Sequence, residues 1–322
     1  MSLASPTHKD RMVWERNSNA RAARQETELI GVLSAIKWSD PESGAIIAQL
    51  ATGEIVKGEC EEGELETGMR YRFLGRWQHN NRWGAQFNFG SFVHDTPATE
   101  SGVTRYLAMY ARHVGQATAA KLWDTYREQA VATLRSDPAR VVADGILSEQ
   151  YADEASRDLQ QEAELEATKL DLFALFDGRG FPRRLIKDVV RRWGAKAAQT
   201  IRRNPFRLLI EEFAGCGFIR CDKLYCDLGL PRAALKRQML CGWNSLREST
   251  TGSTWTLRAT AVRAIKAAIG EGLAKPDEAI ALGIRAGWLA TCQRDGKEWI
   301  AEGGKAKAEK ELADHIRRLM NP

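Results

Sequence analysis

Two stretches of the chain carry the same pattern: Thr133-Leu134-Arg135-Ser136-Asp137-Pro138-Ala139-Arg140-Val141-Val142 and Thr200-Ile201-Arg202-Arg203-Asn204-Pro205-Phe206-Arg207-Leu208-Leu209. They stand 67 residues apart, since position 133 aligns with 200 and position 142 with 209. In each, an Asp/Asn-Pro pair predicts a helix start, because the polar side chain caps the helix and proline suits its first position. A duplicated helical unit is the economical interpretation, and it predicts an all-α central domain over residues 98–230.

Residues 28–97 have a pattern typical of β-strands. The predicted strands are residues 29–33, 45–50, 54–58, 71–77 and 84–89. Turn formers separate them, among them Ser39-Asp40-Pro41 and Thr52-Gly53. Five short strands in so few residues predict a small closed barrel, and the OB-fold is the commonest one.

Residues 231–322 predict a winged-helix-like domain that ends in a charged helix. The predicted order is a helix over 232–248, a strand over 254–256, helices over 259–269 and 276–286, a hairpin that turns at Arg294-Asp295-Gly296, and a last helix over 305–320. Helix, strand, two helices and a two-stranded wing is the order of a winged helix. The sequence therefore predicts a multidomain α+β protein. Residues 1–27 are predicted to be a disordered basic lead-in, either a solvated tail or an arm that touches DNA.

Composition excludes several classes of protein. The 322 residues carry a formal net charge of +5, a weak indication of an anionic partner. No apolar run approaches the roughly 18 residues of a membrane span, and residues 1–24 lack the apolar core of a signal peptide. The six cysteines form no C-x-x-C pair and the five histidines are scattered. We therefore expect a cytoplasmic protein with reduced thiols, no metal site, no cofactor and no membrane contact.

Charge is strongly segregated along the central domain. Residues 178–207 carry ten cations against one acid, Asp188, whereas residues 146–177 carry nine acids against Arg157 and Lys169. The cations are Arg179, Arg183, Arg184, Lys187, Arg191, Arg192, Lys196, Arg202, Arg203 and Arg207. A basic face of this kind binds phosphates in a salt-dependent way. The alternative is that the acidic helix and the basic segment pair with each other inside the fold.

Glycine turns between helices form a second candidate feature. They lie at Gly115, at Gly145, at Gly178-Arg179-Gly180 and at Gly215-Cys216-Gly217, just before Arg220. A G-x-G turn leaves backbone N–H groups open at the start of the next helix, where the helix dipole also favours a phosphate. Several such turns on a repeated unit indicate tandem helix-hairpin-helix DNA binding, which positions the backbone and reads no sequence.

The barrel supplies a third candidate feature, because aromatic residues and arginines alternate along its later strands. Phe73, Phe87 and Phe89 are expected in the core, whereas Trp77, His79 and Trp83 flank a polar turn and are expected at the surface. Bases stack on exposed aromatic rings and arginines follow phosphates, so Arg76, Trp77, Arg82 and Trp83 are candidate DNA contacts.

No motif for catalysis is present in the sequence. It has no G-x-x-x-x-G-K-[ST], no G-x-S-x-G and no H-E-x-x-H. The sequence therefore identifies no catalytic residue and leaves enzyme activity open.

These motifs together resemble the long RecD-like ATP-dependent DNA helicases. Gly68-Met69-Arg70-Tyr71-Arg72-Phe73-Leu74-Gly75-Arg76-Trp77 followed by Trp83-Gly84-Ala85-Gln86-Phe87 is similar to that family's barrel signature. Residues 101–107, Asn204-Pro205-Phe206-Arg207-Leu208 and Gly215-Cys216-Gly217-Phe218-Ile219-Arg220-Cys221-Asp222 are similar to its helical elements. The chain departs from the family at His113-Val114-Gly115, where Gly-Ile-Gly is usual, and at Gly145-Ile146-Leu147, which lacks a second glycine. Since no P-loop follows, the resemblance implies the non-motor half of such a helicase.

Three hypotheses follow for function. The first is a protein or helicase accessory region that binds DNA, as a single strand or a duplex junction, without marked sequence preference, in DNA repair or recombination. The second is a subunit or part of a helicase whose ATP-driven motor lies on another chain. The third is an adaptor that docks another protein through its hairpins and its acidic helix.

Overall fold

The computed structural model describes residues 27–61, 63–80, 84–182, 184–248 and 253–320. Five strands form a closed barrel in the order β1-β2-β3-β5-β4. They are β1 (Thr27–Asp40), β2 (Ala45–Leu50), β3 (Ile55–Glu59), β4 (Arg70–Asn80) and β5 (Gly84–His94). Neighbours are antiparallel except β3 and β5, which run parallel. This arrangement fits the predicted OB-like fold, and the predicted lead-in lies outside the described residues apart from Thr27.

The strands are longer than the sequence pattern predicts. Ser39 and Asp40 were expected in a turn but continue β1, where Asp40 lies opposite Ala45. The turn falls later because the Asp40 carboxylate accepts hydrogen bonds from Glu42 and Ser43, and Gly44 supplies the positive φ, +70°. Inside the barrel, Phe73, Phe87 and Phe89 are fully buried, as predicted.

Gly75 allows two barrel strands to approach closely. A Cβ there would lie 2.1 Å from the Asn88 carbonyl oxygen and 2.6 Å from the Phe89 Cα, next to the β-bulge where β4 and β5 change register. Since backbone atoms cannot move aside as a side chain does, we expect Gly75→Ala to lower the free energy of unfolding by about 1–3 kcal/mol. Urea unfolding measures this change. Gly115→Ala is the control, because a Cβ there meets nothing within 4 Å; a loss as large as that of Gly75→Ala would contradict the packing argument.

In the described part of residues 100–227, nine α-helices follow the barrel. They are α1 (Glu100–Tyr110), α2 (Gln116–Tyr126), α3 (Ala130–Ser136), α4 (Pro138–Ala143), α5 (Glu149–Phe176), α6 (Leu185–Trp193), α7 (Ala197–Arg203), α8 (Arg207–Ile210) and α9 (Phe218–Asp227). The segment α3–α4 aligns with α7–α8, as the repeat predicts. At the start of α4, the Asp137 side chain accepts a hydrogen bond from the Arg140 amide, and Pro138 occupies the first turn.

Backbone conformation repeats with the same 67-residue spacing. Positive φ angles occur at His113 and Gly180 (+64° and +75°), at Arg127 and Gly194 (+53° and +55°), and at Gly145 and Glu212 (+71° and +59°). Left-handed backbone is uncommon outside glycine, so its recurrence at three aligned pairs indicates a shared turn geometry rather than chance. Each pair contains one glycine and one other residue. An alignment of residue types alone therefore does not show that the two positions correspond.

The last part of the chain has the predicted winged-helix order. It comprises α10 (Leu235–Arg247), β6 (Trp255–Leu257), α11 (Arg258–Ile269), α12 (Pro276–Arg285), β7 (Leu289–Arg294), β8 (Lys297–Glu302) and α13 (Gly303–Met320). The three strands form one antiparallel sheet in the order β6-β8-β7.

The chain divides into two compact units. One comprises residues 1–203 and 213–215, and the other residues 204–212 and 216–322. The domain boundaries set from the sequence stay predictions. Among the described helices, none combines the length and the apolar character that a membrane span requires.

Candidate nucleic-acid interface

The glycine corners of the helical repeats lie at the surface. Gly115, Gly145, Gly180, Gly215 and Gly217 are all exposed. Gly115 and Gly217 are the N-cap residues of α2 and α9, and neither helix has a side-chain hydrogen bond at its cap. The first N–H groups of a helix have no partner within the helix. The first N–H groups of α2 and α9 are therefore not bonded by the side chain of an N-cap residue.

The first hairpin, between α1 and α2, already holds a carboxylate. Asp158 of α5 accepts a hydrogen bond from the Arg112 backbone N at 3.2 Å, and two from its guanidinium at 2.8 Å each. Next to it, His113 Nε2 lies 2.8 Å from the Glu154 carboxylate, and the His113 ring stacks on Tyr151. The hydrogen bonds from Arg112 lower the pKa of Asp158. A phosphate at the Gly115 corner would have to compete with this ionised group.

The second hairpin, between α5 and α6, contains Gly178, Arg179 and Gly180. Arg179 Nη1 donates to the Leu175 carbonyl at 2.8 Å, so this side chain caps the end of α5. The Gly180 corner itself is exposed.

Cations of the basic segment 178–207 form ion pairs with the loop after β3 and with α5, and Arg207 pairs with Glu211. Lys187 Nζ lies 2.6 Å from Glu61 and 3.2 Å from Glu64, and Arg191 lies 2.8 Å from Glu61, all in the loop after β3. A hydrogen bond from Lys187 lowers the pKa of Glu61. Arg202, in contrast, pairs with Asp171 of the acidic helix at 2.8 Å and lowers its pKa. Internal pairing, the alternative weighed from the sequence, therefore accounts for part of the segment.

Other cations of this segment are exposed at the surface. Within the described residues, Lys196 and Arg203 are exposed and form no ion pair. Arg184 is 70% exposed and lies 3.8 Å from Asp188, and Arg192 is exposed on the last turn of α6. Since exposed ion pairs contribute only about 0–1 kcal/mol, the Lys187 and Arg191 side chains can also turn towards a phosphate at little cost. The helices α6 and α7 thus present a positively charged surface.

The hairpin before α9 carries its own cations. Gly215 has a φ of +72°, and Gly217 begins α9 in an extended conformation. Arg220 and Lys223 are exposed on the first two turns of α9. Sequence reasoning selected Arg220 but missed Lys223, which the helical spacing of three residues could have indicated.

The barrel candidates divide between described and undescribed residues. Trp77 is 46% exposed and contacts the edge of Phe87, and His79 is exposed, as expected. Arg76 is half-buried and pairs with Asp177 at 3.3 Å. Arg82, Trp83 and Arg183 lie outside the described residues. Trp38 is 50% exposed and Ile36 43% on β1; sequence reasoning did not single out either.

Comparison with known proteins bears on the helical region. Residues 166–255 match the family model described as the ATP-dependent RecD2 DNA helicase HHH domain. The matched range begins in α5, contains the Gly178–Gly180 and Gly215–Gly217 corners, and ends at β6. A search of curated proteins returned no match. Together with the five-stranded OB-like barrel, the helix-hairpin-helix match confirms the resemblance of this chain to the N-terminal region of the RecD-like DNA helicases.

Proposed function

We propose that the chain binds the phosphate backbone of DNA, without marked sequence preference, as the accessory region of a RecD-like helicase. The observation that carries this proposal is the exposure of the Gly180 and Gly217 corners beside cations inside the matched helix-hairpin-helix range. The proposed contact residues of the first unit are Gly180, Arg184, Lys187, Arg191, Arg192, Lys196, Arg203 and Gly215. Those of the second unit are Gly217, Arg220 and Lys223. Backbone amides and Lys/Arg side chains together bind phosphates.

Three candidates that the structure describes in the helical region are left out of this contact set. Gly115 is omitted because Asp158 fills its hairpin, and Arg179 because it caps α5. Gly145 is omitted because it lies outside residues 166–255, the matched helix-hairpin-helix range. On the barrel, Trp77 is kept as a stacking platform for a single strand, since nearly half of its side chain is exposed.

We also propose a motor on a separate chain as partner, a role in DNA repair or recombination, and a cytoplasmic location. The docking hypothesis has less support, because Asp158 and Asp171 of α5 pair with arginines of the chain itself and Glu154 contacts His113.

Titration of DNA at two salt concentrations tests the proposed function. If about four phosphates are contacted on duplex DNA, a plot of log affinity against log salt has a slope of about −4. Affinity should then fall roughly a hundredfold or more between about 50 and 200 mM salt. Fluorescence anisotropy with a labelled duplex and a labelled single strand of unrelated sequences measures this dependence. Weak binding with a flat salt dependence would favour the docking hypothesis instead.

A further inference from the structure

Three ionisable side chains converge where the end of the barrel packs against the long helix α5. His94 is the last residue of β5, and Glu162 and Glu166 lie one helical turn apart on α5. The imidazole nitrogen and the two carboxylates all have ligand atoms within 4.8 Å of one another. The histidine side chain is only 8% exposed and that of Glu166 15%.

Two of the three groups are already held in place. Glu166 Oε1 accepts the backbone N–H of His94 at 2.7 Å and lies 3.1 Å from its Nδ1. The Tyr110 hydroxyl lies 3.1 Å from Nε2 and 3.4 Å from Nδ1, so it contacts the ring between its two nitrogens. In the tautomer protonated at Nε2, the lone pair of Nδ1 is on the side of the Glu166 carboxylate.

Glu162 is the member of the cluster that lacks a partner. Within the described part of the chain it forms no hydrogen bond and no ion pair, although it is partly buried beside Glu166. Two carboxylates four residues apart on a helix repel each other. Among the described residues, Lys169 and Arg135 lie near the cluster without forming an ion pair with it, and Arg112, which lines the same cleft as Glu162, pairs with Asp158 instead. Glu162 also lines a cleft of about 630 Å³ that reaches Tyr110, which gives an ion a path from solvent.

We propose that His94, Glu162 and Glu166 bind a divalent transition-metal ion, Zn²⁺ or Mn²⁺. One imidazole nitrogen and two carboxylates suit such ions. Ligand atoms around a tetrahedral zinc lie about 3.4 Å apart, so the His94–Glu166 pair needs little adjustment and Glu162 needs a shift of about 1.5 Å or less. Water from the cleft completes the coordination. The ion clamps the barrel to the helical repeats, a role that does not depend on DNA binding.

The sequence could not indicate this site. His94 stands 68 residues before Glu162, and neither lies in a motif with ligand spacing. Only the packing of β5 against α5 brings them together, which is why the sequence predicts no metal site.

Metal titration of the full chain, stripped with EDTA, tests this proposal. We expect one Mn²⁺ per chain by electron paramagnetic resonance and one Zn²⁺ by calorimetry. At a metal concentration of about 100 times Kd, the midpoint of thermal unfolding should rise by about 5–10 °C. Mn²⁺ is informative because thiolates, which soft metals prefer, compete poorly for it. Co²⁺ should give visible d–d bands without a thiolate charge-transfer band.

A matched pair of variants assigns the ion to this cluster. Glu162→Gln keeps the shape of the side chain and breaks no hydrogen bond, so it should fold normally and weaken metal binding at least tenfold. Glu164→Gln, exposed on the same helix, should leave Kd within a factor of two. Absence of saturable binding in the wild type overturns the proposal, and so does an unchanged Kd in Glu162→Gln. Thiolate bands with Co²⁺ would assign the ion to the cysteines and also overturn it.

Discussion

Charge reversal at Arg184, Lys196 and Arg203 is expected to weaken DNA binding about a hundredfold, or roughly 3 kcal/mol, with little dependence on DNA sequence. All three side chains are exposed on or beside α6 and α7, and Lys196 and Arg203 have no ion pair among the described residues. A phosphate contact that is lost no longer releases counterions. The slope of log affinity against log salt should therefore fall by about one for each contact removed.

The control for this variant must change the net charge by the same amount elsewhere. Lys57 on β3, Lys121 on α2 and Arg157 on α5 are also exposed, and their reversal adds the same negative charge to the same unit. If both triple variants weaken binding equally, the effect comes from overall charge, and the α6–α7 surface is not the interface. Circular dichroism confirms that each variant is folded.

The helical repeat was open to prediction from the sequence because capping is local. Asp137-Pro138 specifies the start of α4 through chemistry within a few residues, as predicted. The prediction for Asn204-Pro205 was wrong in detail, because these residues form a turn and α8 begins only at Arg207, with no side-chain cap. The strands of the barrel could also be predicted, because the alternation of apolar and polar residues along a strand is a local pattern. Strand length could not, since β1 continues through Ser39 and Asp40 only because Ala45 and Ile46 pair with them across the turn.

The candidate interface was predictable in its composition but not in its pairing. Charge segregation identified the basic segment, yet it could not show that Arg191 reaches Glu61, 130 positions away along the chain. In the same way, nothing near Gly115 in the sequence indicates that Asp158 fills its hairpin. Such contacts depend on how distant elements pack. The sequence therefore identifies the cationic side chains, and only the fold shows which of them are exposed to a phosphate.

Asp222→Asn is expected to destabilise the unit of residues 204–212 and 216–322 by about 3–5 kcal/mol. The Arg237 side chain is only 5% exposed, and its Nε and Nη2 donate to the two Asp222 carboxylate oxygens at 2.6 and 2.8 Å. Nη1 donates to the Arg232 carbonyl at 2.6 Å. The carboxylate raises the pKa of Arg237, so the guanidinium stays charged. Loss of its counter-ion leaves a buried charge without compensation.

Two further variants distinguish the loss of stability caused by an unpaired buried charge from the loss caused by removing any carboxylate. Glu278→Gln removes an exposed ion pair with Lys275 in the same unit and should cost less than about 1 kcal/mol. Asp222→Leu combined with Arg237→Met removes both buried charges and should recover much of the lost stability, because apolar residues can replace a buried ion pair at little cost. Urea unfolding, with hydrogen exchange of α9 and α10 read by mass spectrometry, measures the change in this unit. A double variant no more stable than Asp222→Asn would show that the cost arises from lost packing and backbone contacts rather than from an unpaired guanidinium.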